Sequence, residues 1–185
     1  MLVTSCSPGP NNIVASYSGF NFGIIKTIPH MCGVIFGFTT LVAIMNFGLV
    51  NIFQRYPIIQ EILKYTGSLF LIYLAYKISF SKSNTEDSSK SPVKFIETFF
   101  FQFINPKSVI VSVIMVSTYV DRGKDFLFYS FWVIGVAFLF ALISINFWTL
   151  VGKFLRRFAT NEKFIKRFNY FMSLLLLACI ATFYL

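Results

Sequence analysis

Ser7-Pro8-Gly9-Pro10-Asn11-Asn12 opens an otherwise apolar chain and cannot continue an α-helix. Pro8 and Pro10 lack backbone N–H donors and clash with the turn before them. In a bilayer such a break is tolerated only where protein or a water-filled cavity satisfies the freed carbonyls. Asn11 and Asn12 bring side-chain amides to that same place. A second interruption follows in the other half of the chain, at Asn105-Pro106-Lys107. Two broken, polar places in corresponding positions of two halves point to the binding site of a transporter.

The bilayer itself is read from composition. Only 12% of the 185 residues are charged, about half the share in an ordinary soluble protein, and mean hydropathy is +0.72. The apolar residues come in long blocks, with 25 phenylalanines among them, which suits lipid-facing and packed helix surfaces. A net charge of +9 would fit nucleic acid, but the basic residues sit in short segments between apolar blocks, as the positive-inside rule requires. Nucleic acid is therefore excluded as a partner, and the lipid bilayer takes its place. Cys6, Cys32 and Cys179 show no CxxC spacing and read as small apolar membrane residues.

Five windows are long enough to cross about 30 Å of hydrocarbon: 28–53, 58–80, 95–120, 126–152 and 164–185. A sixth, 1–22, is stunted by Pro8. The expected fold is all-α and integral to the membrane, with six transmembrane helices and a short first helix. Asn21 to Thr27 reads as the first loop, and Pro29-His30 as the opening of helix two. Gly33 and Gly37 form a small-xxx-small pair for close helix packing. Gln54-Arg55-Tyr56-Pro57 reads as a tight turn, and Gly67, Ser68 and Ala75 as a small face on helix three. The Ser-rich segment 81–94 is the one true linker. It divides the chain into a first three-helix repeat (1–80) and a second (95–185). Leu63 to Leu69 corresponds loosely to Arg167 to Leu174, and Ser7-Pro8 parallels Asn105-Pro106. Three helices per copy is an odd number, so the repeats are inverted. Lys26, Lys77, Lys82, Lys90, Lys94, Lys153, Arg156, Arg157, Lys163, Lys166 and Arg167 fall on one side of such a fold. Arg55, Lys64, Arg122 and Lys124 fall on the other. The linker 81–94 and the loop 153–163 are thereby expected in the cytoplasm.

The candidate substrate-binding residues are Asn11, Asn12, Gln102, Asn105 and Lys107, beside the helix breaks at Pro8, Gly9, Pro10 and Pro106. A zwitterionic amino acid needs donors for its carboxylate and acceptors for its ammonium, and amides offer both without a fixed charge. The competing reading is that these asparagines only satisfy backbone groups freed by the prolines. Lys107 falls near the middle of a span, where an unpaired charge costs about 3 kcal/mol. It would bind a substrate carboxylate or carry a proton, the alternative being a snorkelling side chain. Glu61, Glu97 and His30, the single histidine, all fall near helix ends, so no central acid or histidine supplies a proton relay. No HExxH, GxSxG or metal-ligand cluster occurs, which argues against an enzyme, a metal or a cofactor.

Read together, these residues resemble the LysE/RhtB family of amino-acid exporters. The carriers of the resemblance are Ser7 to Asn12, the Gly-rich helix after Pro29-His30, Lys64-Tyr65-Thr66-Gly67 with Leu71 to Lys77, and Phe101-Gln102-Phe103-Ile104-Asn105-Pro106-Lys107. Within the family, Ser117-Thr118 and the Phe-Gln-Phe-x-Asn run are most similar to the cysteine/O-acetylserine exporter branch. The resemblance implies a secondary transporter of the plasma membrane that exports small amino acids or derivatives, driven by the proton gradient. Two departures stand out: the family has a longer segment before Pro-Gly-Pro, and Met172-Ser173 replaces a common glycine, which would loosen or alter helix packing. The alternatives are a truncated, non-transporting relative or assembly component, and a membrane redox carrier, which needs two facing cysteines. Monomer and homo-oligomer both remain open.

Overall fold

The computed structural model describes residues 8–80, 93–120, 123 and 125–184, without the side chains of 50, 53 and 54. Among these residues every regular element is helical: α1 Pro10–Ile44, a π-helical turn Met45–Leu49, α2 Val50–Arg55, α3 Ile58–Ser79, α4 Phe95–Ile104, α5 Pro106–Tyr119, α6 Phe126–Arg156 and α7 Glu162–Ala181. Cys6, Ser7, nearly all of the linker and most of the 121–125 turn lie outside the described residues. Four helical stretches are long and apolar enough to cross a membrane, and α4 with α5, bent by 64°, makes a fifth.

The first of those stretches is not straight. Gly23 has φ 75° and ψ 179°, a conformation open to glycine because it carries no Cβ. In an unbroken helix Asn11 and His30 would stand about 28 Å apart at 1.5 Å per residue. Instead the His30 ring lies 3.4 Å from the Asn11 carbonyl, so α1 folds back at Gly23 into two arms. The expected loop at 21–27 thus contracts to one residue, and Pro29 stands inside the second arm instead of opening it. The first arm, residues 10–22, covers only about 20 Å, so helix one is short within the described residues. The second arm was expected to run unbroken to residue 53. It passes into the π turn at Met45, and Gly48 (φ 135°) ends it before α2.

Glycines set the helix contacts. Gly33 and Gly37 lie against the carbonyls of Phe95 and Phe99, at 2.6 and 2.7 Å from where their Cβ atoms would be. The small-xxx-small pair therefore packs the second arm onto α4. Gly67 of α3 faces the Ile104 carbonyl, at the break between α4 and α5. A Gly67→Val substitution has no room there, because the obstructing atom is backbone. It is expected to lower the melting temperature in detergent markedly, while Gly135→Ala, with nothing within 4 Å, leaves it unchanged.

Three apolar clusters fill the remaining space. Ile13, Val14 and Tyr17 meet Leu71, Leu74, Ile78 and Leu176. Leu41, Val42 and Met45 meet Val109, Val116 and Val133, while Ala15 and Ile35 meet Ala141 and Ile145. Ser173 of α7 is buried. Its hydroxyl accepts from Ser79 Oγ at 2.7 Å and lies 3.0 Å from the Ala75 carbonyl, tying α7 to α3. The basic loop 153–163 also contracts, because α6 runs to Arg156 and α7 begins at Glu162. Lys153 and Arg156 thus close α6, where cations complement the negative end of the helix dipole.

Candidate functional site

The start of α1 and the bend between α4 and α5 open onto one cavity of about 80 Å³, enough for a handful of water molecules. Gly9, Pro10, Asn11 and Asn12 line it from the start of α1, and Gln102, Asn105, Lys107 and Ser108 from the bend between α4 and α5. Ser144 of α6 closes the polar part, and Val34, Phe38, Val111, Phe140 and Ile145 supply apolar wall. All five residues expected from the sequence therefore come together. Of the four helix-break residues, Gly9 and Pro10 line the cavity, while Pro8 is exposed and Pro106 is buried behind it.

The geometry at the second break follows from its residues. Asn105 is extended (φ −85°, ψ 107°), because a residue before proline is disfavoured in the helical region. Pro106 then starts α5 at a position that needs no N–H. The Asn105 side-chain oxygen accepts from the Lys107 backbone N–H at 3.2 Å, and its amide nitrogen donates to Ser108 Oγ at 3.0 Å. The backbone-satisfying reading thus describes the Asn105 oxygen. Gly9 occupies the equivalent capping position of α1, with φ −146° and ψ 172°.

A reciprocal amide pair clasps the two breaks together. Asn11 Nδ2 donates to Gln102 Oε1 at 2.8 Å, and Gln102 Nε2 donates to Asn11 Oδ1 at 3.2 Å. Gln102, fully buried, also donates to the Thr98 carbonyl at 2.9 Å and accepts from Ser108 Oγ at 3.0 Å. Its amide is thereby satisfied within the chain. Replacing Asn11 by Ala would remove two hydrogen bonds and leave one buried Gln102 Nε2–H unpaired, which costs about 1–3 kcal/mol. The expected result is a lower melting temperature, with Asn11→Asp intermediate because it still accepts from Gln102 Nε2.

Lys107 lies half-buried in the cavity wall, where its Nζ and Cδ would stand 2.8 and 3.1 Å from a Cβ on Gly9. The side chain therefore crosses from one break to the other. Two helix N-termini, each carrying about half a positive charge, add to the Lys107 charge at this spot. The cavity consequently has one strongly positive pole. Asn12 is buried, with its side-chain oxygen 3.4 Å from Ser144 Oγ as acceptor.

Two residues escaped the sequence reading, Ser108 and Ser144. Ser108 stands three residues after the Asn105 cap, a spacing at which capping partners meet, so it was findable. Ser144 is a lone hydroxyl in an apolar helix and carries no such signal. His30 was expected near a helix end, yet it is buried behind Asn11, with Nδ1 3.0 Å from Thr98 Oγ1. Its displacement inward follows from the reversal at Gly23. Glu97 stays at its helix end, where Lys77 Nζ lies 3.5 Å from it and it accepts from the Lys94 N–H at 2.9 Å. Cys32 and Cys179 are free thiols in separate helices.

Comparison with known proteins gives a consistent result. The family model described as LysE type translocator matches residues 2–184. A cysteine/O-acetylserine efflux protein of Salmonella typhimurium (strain LT2) is 30% identical over 182 residues, covering 96% of this chain and 90% of the relative. The protein of the same name from Escherichia coli (strain K12) is 29% identical over 185 residues, with the same coverage. No solved structure matches.

Proposed function

This chain belongs to the LysE type translocator family, a multi-pass membrane protein, and from that premise we propose that it exports cysteine, O-acetylserine or a similarly small neutral amino acid across the plasma membrane. The observation that carries the reading is the cavity where the start of α1 meets the bend between α4 and α5, with Lys107 in its wall. The positive pole takes the substrate carboxylate, since helix N-termini favour anions and lysine adds a full charge. The Asn12 carbonyl and the Ser144 hydroxyl offer acceptors for the ammonium group. Gln102, Asn105 and Asn11 act by holding the two breaks in register.

Supporting inferences follow from charge and topology. The excess of Lys and Arg favours a cytoplasmic position for the linker and the α6–α7 turn. Equivalent breaks at Pro10 and Pro106 support two inverted repeats that rock about a fixed site, the arrangement of alternating access. The proton gradient is the proposed drive, in keeping with a wall lysine able to carry a proton.

The test is amino-acid accumulation in the medium of cells overproducing the chain. Cysteine or O-acetylserine is expected to rise, and lysine is not, because a second cation meets the Lys107 pole. A rise in lysine alone would overturn the substrate assignment.

A further inference from the structure

The polar cavity shares one wall residue, Phe140, with a second cavity between α5 and α6. Lys107, Val111, Met115 and Tyr119 recur every four residues and so share one face of α5. The first two line the polar cavity, and the last two line a second cavity of about 440 Å³. α6 repeats the pattern in the opposite direction with Ser144, Phe140, Val136 and Trp132. Ser144 lines the first cavity, Val136 and Trp132 the second, and Phe140 lines both.

The second cavity is apolar and largely aromatic, with Phe128 and Tyr129 completing the walls. It lies where α5 ends and α6 begins, at the turn that the charge count puts outside. Lys107 to Tyr119 covers about 18 Å, more than half the thickness of the hydrocarbon core. The two spaces thus follow one another along α5 and α6, with the half-buried Phe140 ring in the wall of both.

We propose that Phe140 is the outward gate of the transport path and that the aromatic cavity beyond it is the exit vestibule. This rests on the exporter reading for its substrate, although the gate itself is a property of the two cavities. An apolar constriction closes a path to polar solutes by shedding water. The vestibule beyond offers few polar groups, so a released zwitterion finds no second site to hold it. The gate opens when α5 and α6 part or the ring turns aside.

Thiol labelling tests the proposal without any substrate. In a background with Cys6, Cys32 and Cys179 replaced by Ala, Val111→Cys reports from inside the gate and Trp132→Cys from the vestibule. A membrane-impermeant maleimide is applied to the outer face of spheroplasts. Trp132→Cys is expected to react whether position 140 is Phe or Ala, which also shows that the Phe140→Ala chain is folded. Val111→Cys is expected to react at least about tenfold faster with Phe140→Ala, a shift of about 1.4 kcal/mol in the opening equilibrium. Phe140→Trp, which refills the constriction, should restore slow labelling. Equal rates for Val111→Cys with Phe and Ala at 140 would overturn the gate. Reaction of Trp132→Cys with a lipid-soluble maleimide alone would show a lipid-facing groove and overturn the vestibule. Failure of the exporter reading shows separately, as no amino acid in the medium while the labelling pattern holds.

Discussion

Lys107→Met is expected to lower amino-acid export about ten- to a hundredfold at unchanged expression. The substitution keeps the length and apolar stem of the side chain and removes only the charge. A hydrogen bond to a charged group contributes about 1.5–3 kcal/mol, equivalent to a loss of about ten- to a hundredfold in substrate affinity. The two helix N-termini remain, so weak residual binding is expected in place of none. Lys107→Arg should retain part of the activity, because it preserves the charge but forces a planar fork into a space shaped for a compact ammonium. Initial export rates from preloaded cells check both. A snorkelling lysine, by contrast, would leave export intact in Lys107→Met. The position of its Nζ against Gly9, between the two breaks, opposes that reading.

Gly19→Leu and Gly152→Leu should each prevent folding outright. A Cβ on Gly19 would meet the Thr149 carbonyl, and one on Gly152 the carbonyl of Ser16. The first arm of α1 and α6 therefore cross with their backbones in contact, each glycine seated on the other helix. Ser16 Oγ donates to the Trp148 carbonyl at 2.9 Å and fastens the same crossing. Neither carbonyl has freedom to move, since both belong to helices. A leucine at either place forces the helices apart by more than a side chain can absorb, and overpacking of a fixed core already costs about 1–3 kcal/mol. The expected outcome is loss of the monodisperse species in detergent, against an unaffected Gly135→Leu on the open face of α6. Because this crossing carries Ser144 to Asn12, it also sets one wall of the cavity.

What the sequence disclosed, and what it hid, divides along physical lines. Prolines announce themselves, since they remove a donor wherever they fall, so both breaks and their neighbouring amides were legible. Gly33 and Gly37 were legible too, because four-residue spacing defines one helix face. The Gly19–Gly152 crossing was not, for it joins two single glycines from distant segments that share no pattern. The reversal at Gly23 looked like a loop of seven residues because its flanks are polar and mixed. Only its positive φ shows that one residue suffices. The contacts of Ser173 were hidden because they depend on Ser79 and the Ala75 carbonyl across the interface. The same limit hid Ser144 and the Phe140 partition, whose roles exist only once α6 is laid against α1 and α5.

The most direct test of the central claim is equilibrium binding of labelled O-acetylserine and cysteine to the purified protein in detergent, for the wild type and Lys107→Met. Saturable binding is expected from the wild type, and binding at least about tenfold weaker from a variant of equal melting temperature, the loss of one charged contact. Equal affinity in the two folded proteins would place the substrate elsewhere and contradict that claim.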